Sequence, residues 1–102
     1  MTTAIRTALP ISHPGNVFRT RFLKRHSITI TDAAKKMHMQ RAQLSRFVNG
    51  GTPVSLQLAL KLEVATGVSA KYWLLRQVDF DLQQLKINGK LQINAEPLLN
   101  SP

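Results

Sequence analysis

The sequence predicts an all-α chain of five short helices in one domain. Three observations carry this. Apolar residues recur at three- and four-residue spacing through most of the chain, the mark of a helix with one buried face. Helix-capping residues stand where these stretches begin, and Gly or Pro stands where they end. The length of 102 residues and a hydrophobic content of 43% support one core, too small to divide into two.

Residues 1–12 read as a weakly ordered, flexible N-terminal arm carrying Arg6. His13-Pro14-Gly15 opens the first helix, with proline in the first turn, where its missing N–H costs nothing. Phe18 and Phe22, one turn apart, and Leu23 form its buried stripe; Arg19, Arg21, Lys24 and Arg25 surround it. Thr29 and Asp32 have capping-box spacing, with Asp in place of Glu, so a second helix starts near Ile30. Ala33, Ala34 and Met37 give it a small, close-packing inner side, with Lys35 and Lys36 at the outer edge. His38 falls where the chain must turn; it is among the non-glycine residues that tolerate positive φ.

The third helix is expected from about Gln40 to Asn49, stopped by Gly50-Gly51. At roughly 100° per residue, Arg41, Ser45, Asn49, Ala42 and Arg46 share an arc of about 140°. Leu44, Phe47 and Val48 lie on the opposite side. A buried back and a front of short or bidentate donors is what a helix lying in the DNA major groove requires. Helices two and three together read as a helix-turn-helix.

Thr52-Pro53 forces a non-helical link, and Ser55 caps a fourth helix with the stripe Leu58, Ala59, Leu62 and Ala65, ended by Gly67. Ser69 caps a fifth helix running through Tyr72 and Trp73 to about Lys86. Trp73 is read as core. Val78, Leu82 and Leu85 extend the apolar stripe beyond what one small domain can cover, and a second copy of the chain is the expected partner. Around Asn88-Gly89 two readings compete: a two-residue hairpin and a helix stop. The helix stop is preferred, with a short extended segment at 90–94 and a loose tail.

Charge is the strongest bulk signal. The net charge is +9, and it is uneven: residues 1–50 carry nine basic and one acidic side chain, residues 51–102 five and four. The positive field therefore sits on the half with the helix-turn-helix, where it favours a polyanion; DNA fits, and so would RNA. The absence of cysteine excludes structural disulfides and thiolate–zinc sites. No apolar run approaches the ~20 residues of a membrane span, and the N-terminus lacks a signal-peptide core, so a soluble cytoplasmic protein is expected.

No catalytic site, cofactor or metal site is expected. His13, His26 and His38 are too far apart to share a helix face and have no acidic ligand pair beside them. Asp79 and Asp81 point roughly 160° apart on a helix, which disfavours a paired-carboxylate mechanism.

These motifs closely resemble the HigA-type antitoxins of the Cro-like, phage-repressor-like helix-turn-helix group. His13-Pro14-Gly15 followed by Phe22-Leu23 is similar to that family's opening helix, and Asn49-Gly50 to the close of its recognition helix. Leu58-Ala59-Leu60 is similar to its fourth-helix core. Ser69, Tyr72-Trp73-Leu74, Gln77 and Phe80-Asp81-Leu82 resemble its final-helix signature. The resemblance covers about residues 11–85. It implies a helix-turn-helix DNA-binding and dimerisation domain, taken as 13–87, with a short tail at 88–102 that can be extended. It further implies a homodimer that binds double-stranded operator DNA, represses its own operon and neutralises an adjacent HigB-like mRNA-cleaving toxin. Carried onto this chain, Arg41, Ala42, Ser45 and Arg46 would read bases, while Gln40, Gln43 and Asn49 would hold phosphates. Lys35 and Lys36 are assigned to the phosphate backbone from their charge and place, and Val78, Leu82 and Leu85 to the dimer interface.

Two departures from the family stand out. His38 occupies the turn where Gly is usual, and Asn16, Thr20 and Arg21 stand where acidic residues are frequent in the first helix. A basic toxin would then be expected to meet the near-neutral C-terminal half, around Asp79 and Asp81. The alternative reading is a stand-alone helix-turn-helix regulator without a toxin. A small basic ribonuclease, the toxin itself, would need strands that this pattern does not predict.

Overall fold

The structure is a computed structural model that describes residues 9–88 and 93–99. Among them it has five helical segments and no strand. The first helix, α1, begins at Pro14–Phe18 and continues through Arg19–Lys24 with wider π-helical turns. The sequence predicted an ordinary helix here. The wider turn brings Phe18 and Leu23, five residues apart, to one buried side. Thr20 Oγ1 donates back to the Asn16 carbonyl at 2.9 Å, a contact that bends helices.

The other helices are α2 (Ile30–Lys36), α3 (Arg41–Val48), α4 (Leu56–Thr66) and α5 (Ala70–Asn88). The expected caps are in place. Thr29 Oγ1 accepts from Asp32 N at 3.0 Å, Ser55 Oγ from Leu58 N at 3.0 Å, and Ser69 Oγ from Tyr72 N at 3.1 Å. Each satisfies an N–H that the helix cannot. At the opening of α1 the cap is His13, whose Nδ1 accepts from Gly15 N at 2.9 Å.

Three helix ends close in the same way. After Lys24, Lys36 and Val48 the chain passes through a left-handed residue: Ser27 (φ 55°), His38 (φ 54°) and Gly50 (φ 80°). In each, paired N–H groups return to the last turn, as with His38 N to Lys35 O at 3.2 Å and Met39 N to Ala34 O at 3.0 Å. This is the Schellman closure, which favours glycine at the left-handed position. Ser27 and His38 hold it at a conformational cost of roughly 1 kcal/mol each.

The core gathers Leu44, Phe47, Leu62 and Trp73, all fully buried, with Phe18, Leu23, Ala34, Val48 and Ala59 around them. Large apolar side chains of this kind contribute about 1.5–3 kcal/mol each on burial. Phe18, Phe22 and Tyr72 surround Trp73, with ring centroids 5.2–6.3 Å from it. Trp73 is thus core, as predicted, and its Nε1 has no hydrogen-bond acceptor among the described residues. Ala65, placed in the α4 stripe by its spacing, is instead exposed, at the rim of a groove between α1, α2 and α4. Residues 85–88 are helical, which overturns the hairpin alternative. Residues 93–97 have no regular structure, and the rest of the segment expected at 90–94 lies outside the described residues.

Of the N-terminal arm, residues 1–8 lie outside the described residues. Residues 9–12 run along α5: Gln83 accepts from Ile11 N and donates to Leu9 O, and Arg76 Nε donates to Ser12 O at 3.1 Å. Along the same helix Leu75, Val78, Leu82 and Leu85 are each about half exposed.

Candidate nucleic-acid interface

The back of α3 is anchored and its front is open. Leu44, Phe47 and Val48 are buried, whereas Arg41, Ala42, Gln43 and Arg46 are exposed and Ser45 is half-buried. No acidic residue lies on α3.

The joint before α3 is fixed by long-range contacts as well as by local ones. His38 takes the left-handed position predicted for it. Lys61, from α4, donates through Nζ to the Met37 carbonyl at 2.9 Å and the His38 carbonyl at 3.3 Å. These carbonyls at the end of α2 attract a cation, so α4 clamps the turn from behind. At the start of α3, Gln43 Oε1 accepts from Gln40 N at 3.2 Å. Arg41 Nε donates to Thr31 Oγ1 of α2 at 3.1 Å. At its end, Asn49 Nδ2 donates to the Ser45 carbonyl at 3.0 Å, and Gly51 N reaches Arg46 O at 2.7 Å.

The loop leaving α3 is held from α5. Gln77, 7% exposed, accepts from Val54 N at 2.9 Å and donates to Asp81 Oδ1 at 3.0 Å. Asp81 thus has a partner within the fold, and both it and Asp79 are exposed. The front of α1 meets the end of α3 closely: a Cβ on Gly15 would stand 1.8 Å from the Phe47 carbonyl oxygen.

His13 sits at this junction, 9% exposed, with ring centroids of Phe47 and Phe80 at 5.8 and 5.1 Å. Burial lowers its pKa below the ordinary 6.5; Asp81 and a backbone hydrogen bond to Thr52 oppose this only in part. The neutral ring suits its work, since Nδ1 must accept from Gly15.

The four residues expected to read bases therefore share one face of α3. Gln40, Gln43 and Asn49 stand at its two ends, with the Gln43 oxygen and an Asn49 amide hydrogen already engaged locally. Lys35 and Lys36 are exposed at the last turn of α2, and Lys36 borders the groove toward α4. Thr31, Lys61 and Gln77 were not singled out for these tasks from sequence. Their partners lie 10–24 residues away, beyond any local periodicity, although Gln77 did appear in the family signature. Among the described residues no three His, Cys, Asp or Glu side chains cluster to hold a metal, and no described helix is long and apolar enough to cross a membrane.

Comparison with known proteins bears on the family and the fold. A helix-turn-helix family profile matches residues 21–73. Virulence-associated protein A of Dichelobacter nodosus is 33% identical over 91 residues, covering 88% of this chain and 87% of the relative. Pseudomonas aeruginosa antitoxin HigA, solved with the higBA promoter, is 26% identical at a TM-score of 0.75, covering 87% of this chain and 99% of that one. An addiction module antidote protein of the HigA family from Coxiella burnetii shares the fold at 19% identity and a TM-score of 0.71, covering 83% of this chain and 99% of that one. The resemblance to HigA-type antitoxins read from the motifs is thus matched by the architecture.

Proposed function

We propose, from the premise that this chain belongs to the helix-turn-helix family, that it is a sequence-specific DNA-binding antitoxin: a dimer that represses its own operon and neutralises a HigB-like mRNA-cleaving toxin. The observation that carries the DNA reading is the exposed face of α3, with Arg41, Ala42, Ser45 and Arg46 together over a buried back. It lies on the half of the chain that holds nearly all the excess positive charge. Arg forks suit guanine O6 and N7, and the small Ala42 and Ser45 let the backbone approach the bases. Gln40, Gln43, Asn49, Lys35 and Lys36 hold the flanking phosphates and set the register.

A second copy covers the stripe of Leu75, Val78, Leu82 and Leu85 on α5. The dimer presents its two recognition helices about 34 Å apart, one turn of the duplex. The toxin role follows from likeness to HigA-type antitoxins.

Binding of the full chain to the promoter region of its own gene, against coding DNA of equal length, tests the DNA reading. Co-expression with the adjacent small reading frame, tagging only that neighbour, tests the toxin reading. Promoter preference with a stoichiometric complex supports both. Promoter preference with neither complex nor growth arrest leaves the stand-alone regulator, and equal binding to both DNAs refutes sequence recognition.

A further inference from the structure

On the front of α3, Arg41 is hydrogen-bonded to the neighbouring helix α2. Its Nε donates to Thr31 Oγ1 at 3.1 Å. Thr31 is the second residue of α2, exposed, and the turn between the two helices is itself clamped by Lys61 from α4. The helix that carries the hydroxyl is thus held against α3 at the turn that joins them.

A guanidinium can meet a guanine in two ways. It can present its end, the two Nη groups, or its side, Nε with one Nη; both supply a parallel pair of donors. With Nε committed to Thr31, only the end remains. We infer that Thr31 is a positioning residue for base recognition, fixing Arg41 so that its two Nη groups meet guanine O6 and N7 end-on. The inference rests on the base-reading role proposed for Arg41 and adds to it a determinant of specificity outside the recognition helix.

The hydroxyl accepts from Arg41, so its own proton stays available to a phosphate oxygen. A direct phosphate contact by Thr31 is thus the competing role, and it has a different signature. A backbone contact weakens binding to every sequence and lowers the salt dependence, whereas a positioning role acts only through Arg41.

The test uses the full chain and two probes: a duplex selected by the wild-type protein from a random library, and an unselected duplex of equal length. Thr31→Val, which keeps the shape and removes the hydroxyl, should raise Kd for the selected duplex about three- to tenfold, the net worth of one such hydrogen bond. It should leave the Kd for the unselected duplex and the salt slope unchanged. Thr31→Ser should bind as wild type. In an Arg41→Ala background, Thr31→Val should have no further effect.

Equal weakening of both probes by Thr31→Val, or a full additional loss in the Arg41→Ala background, overturns the positioning role. So does a Thr31→Val protein that binds as wild type while Arg41→Ala loses discrimination. If Arg41→Ala itself weakens both probes alike, the base-reading premise fails, and the inference falls with it.

Discussion

Gly15 offers the sharpest test of how α1 seats the recognition helix. Replacing it by Ala places a methyl 1.8 Å from the Phe47 carbonyl oxygen, 2.7 Å from its carbon and 3.1 Å from Val48 Cα. All three are backbone atoms, so no side chain can swing aside. Relief even to a tight contact requires α1 and α3 to separate by roughly 1 Å at a junction packed as densely as a crystal. Overpacking of this kind costs about 1–3 kcal/mol and more where neighbours cannot move. The gain in helix propensity from Gly to Ala offsets at most about 1 kcal/mol. A net loss of about 2 kcal/mol or more should remain, which in a domain of this size lowers the melting temperature by roughly 8–16 °C. Thermal unfolding followed by far-UV circular dichroism measures it. A Gly15→Ala protein melting at or above the wild-type temperature would show that propensity dominates and that the α1–α3 contact is loose.

His38→Gly relieves a left-handed non-glycine residue and should stabilise by up to about 1 kcal/mol, less the entropy glycine adds to the unfolded chain; a lower melting temperature would mean the His38 side chain holds the turn. Gln77→Leu leaves the buried Val54 N–H without an acceptor and should cost about 1–3 kcal/mol in a denaturant titration, whereas an unchanged midpoint would show that water replaces the amide. His13 titrates lower in the folded than in the unfolded chain, so the unfolded state takes up protons first. Stability is therefore full above pH 6.5 and declines as the pH falls toward the folded value; the melting temperature of His13→Asn should decline less over that window, and parallel profiles would refute the assignment. Leu82→Glu should yield a monomer in sedimentation equilibrium at concentrations where the wild type is dimeric, and an unchanged mass would move the interface off this stripe.

What the sequence made legible was local. Thr29, Ser55 and Ser69 announce helix starts because a cap bonds only two or three residues ahead. The wheel of α3 sorted Leu44, Phe47 and Val48 from Arg41, Ala42 and Arg46 because an anchored helix has one buried side. His38 was legible as a turn for the same local reason. The π-helical turns of α1 were not, since Phe18 and Phe22, four residues apart, already fit an ordinary amphipathic helix, and the single five-residue spacing to Leu23 is too little to displace that reading. Nor was the exposure of Ala65: periodicity gives an angle around a helix, while burial depends on how far the neighbouring helix reaches. The bonds of Lys61 and of Thr31 with Arg41 lay beyond reading, because long polar side chains choose partners by tertiary distance. The family resemblance supplied the expected division of α3 into base-reading and phosphate-holding residues; capping and spacing alone reached a helix-turn-helix whose second helix has a basic, open face.

Trp73 makes the molecule convenient to follow by light. It is the chain's single tryptophan, fully buried among Phe18, Phe22 and Tyr72, with its indole N–H facing no acceptor among the described residues. Such an apolar cage shifts indole emission to the blue, and unfolding should shift it to the red in one step. The chromophore also lies in the core rather than on the open face of α3. Its intensity should therefore stay level as DNA is added, while an extrinsic label on the duplex responds. One cuvette can thus report the integrity of the fold and the occupancy of the recognition helix as separate signals.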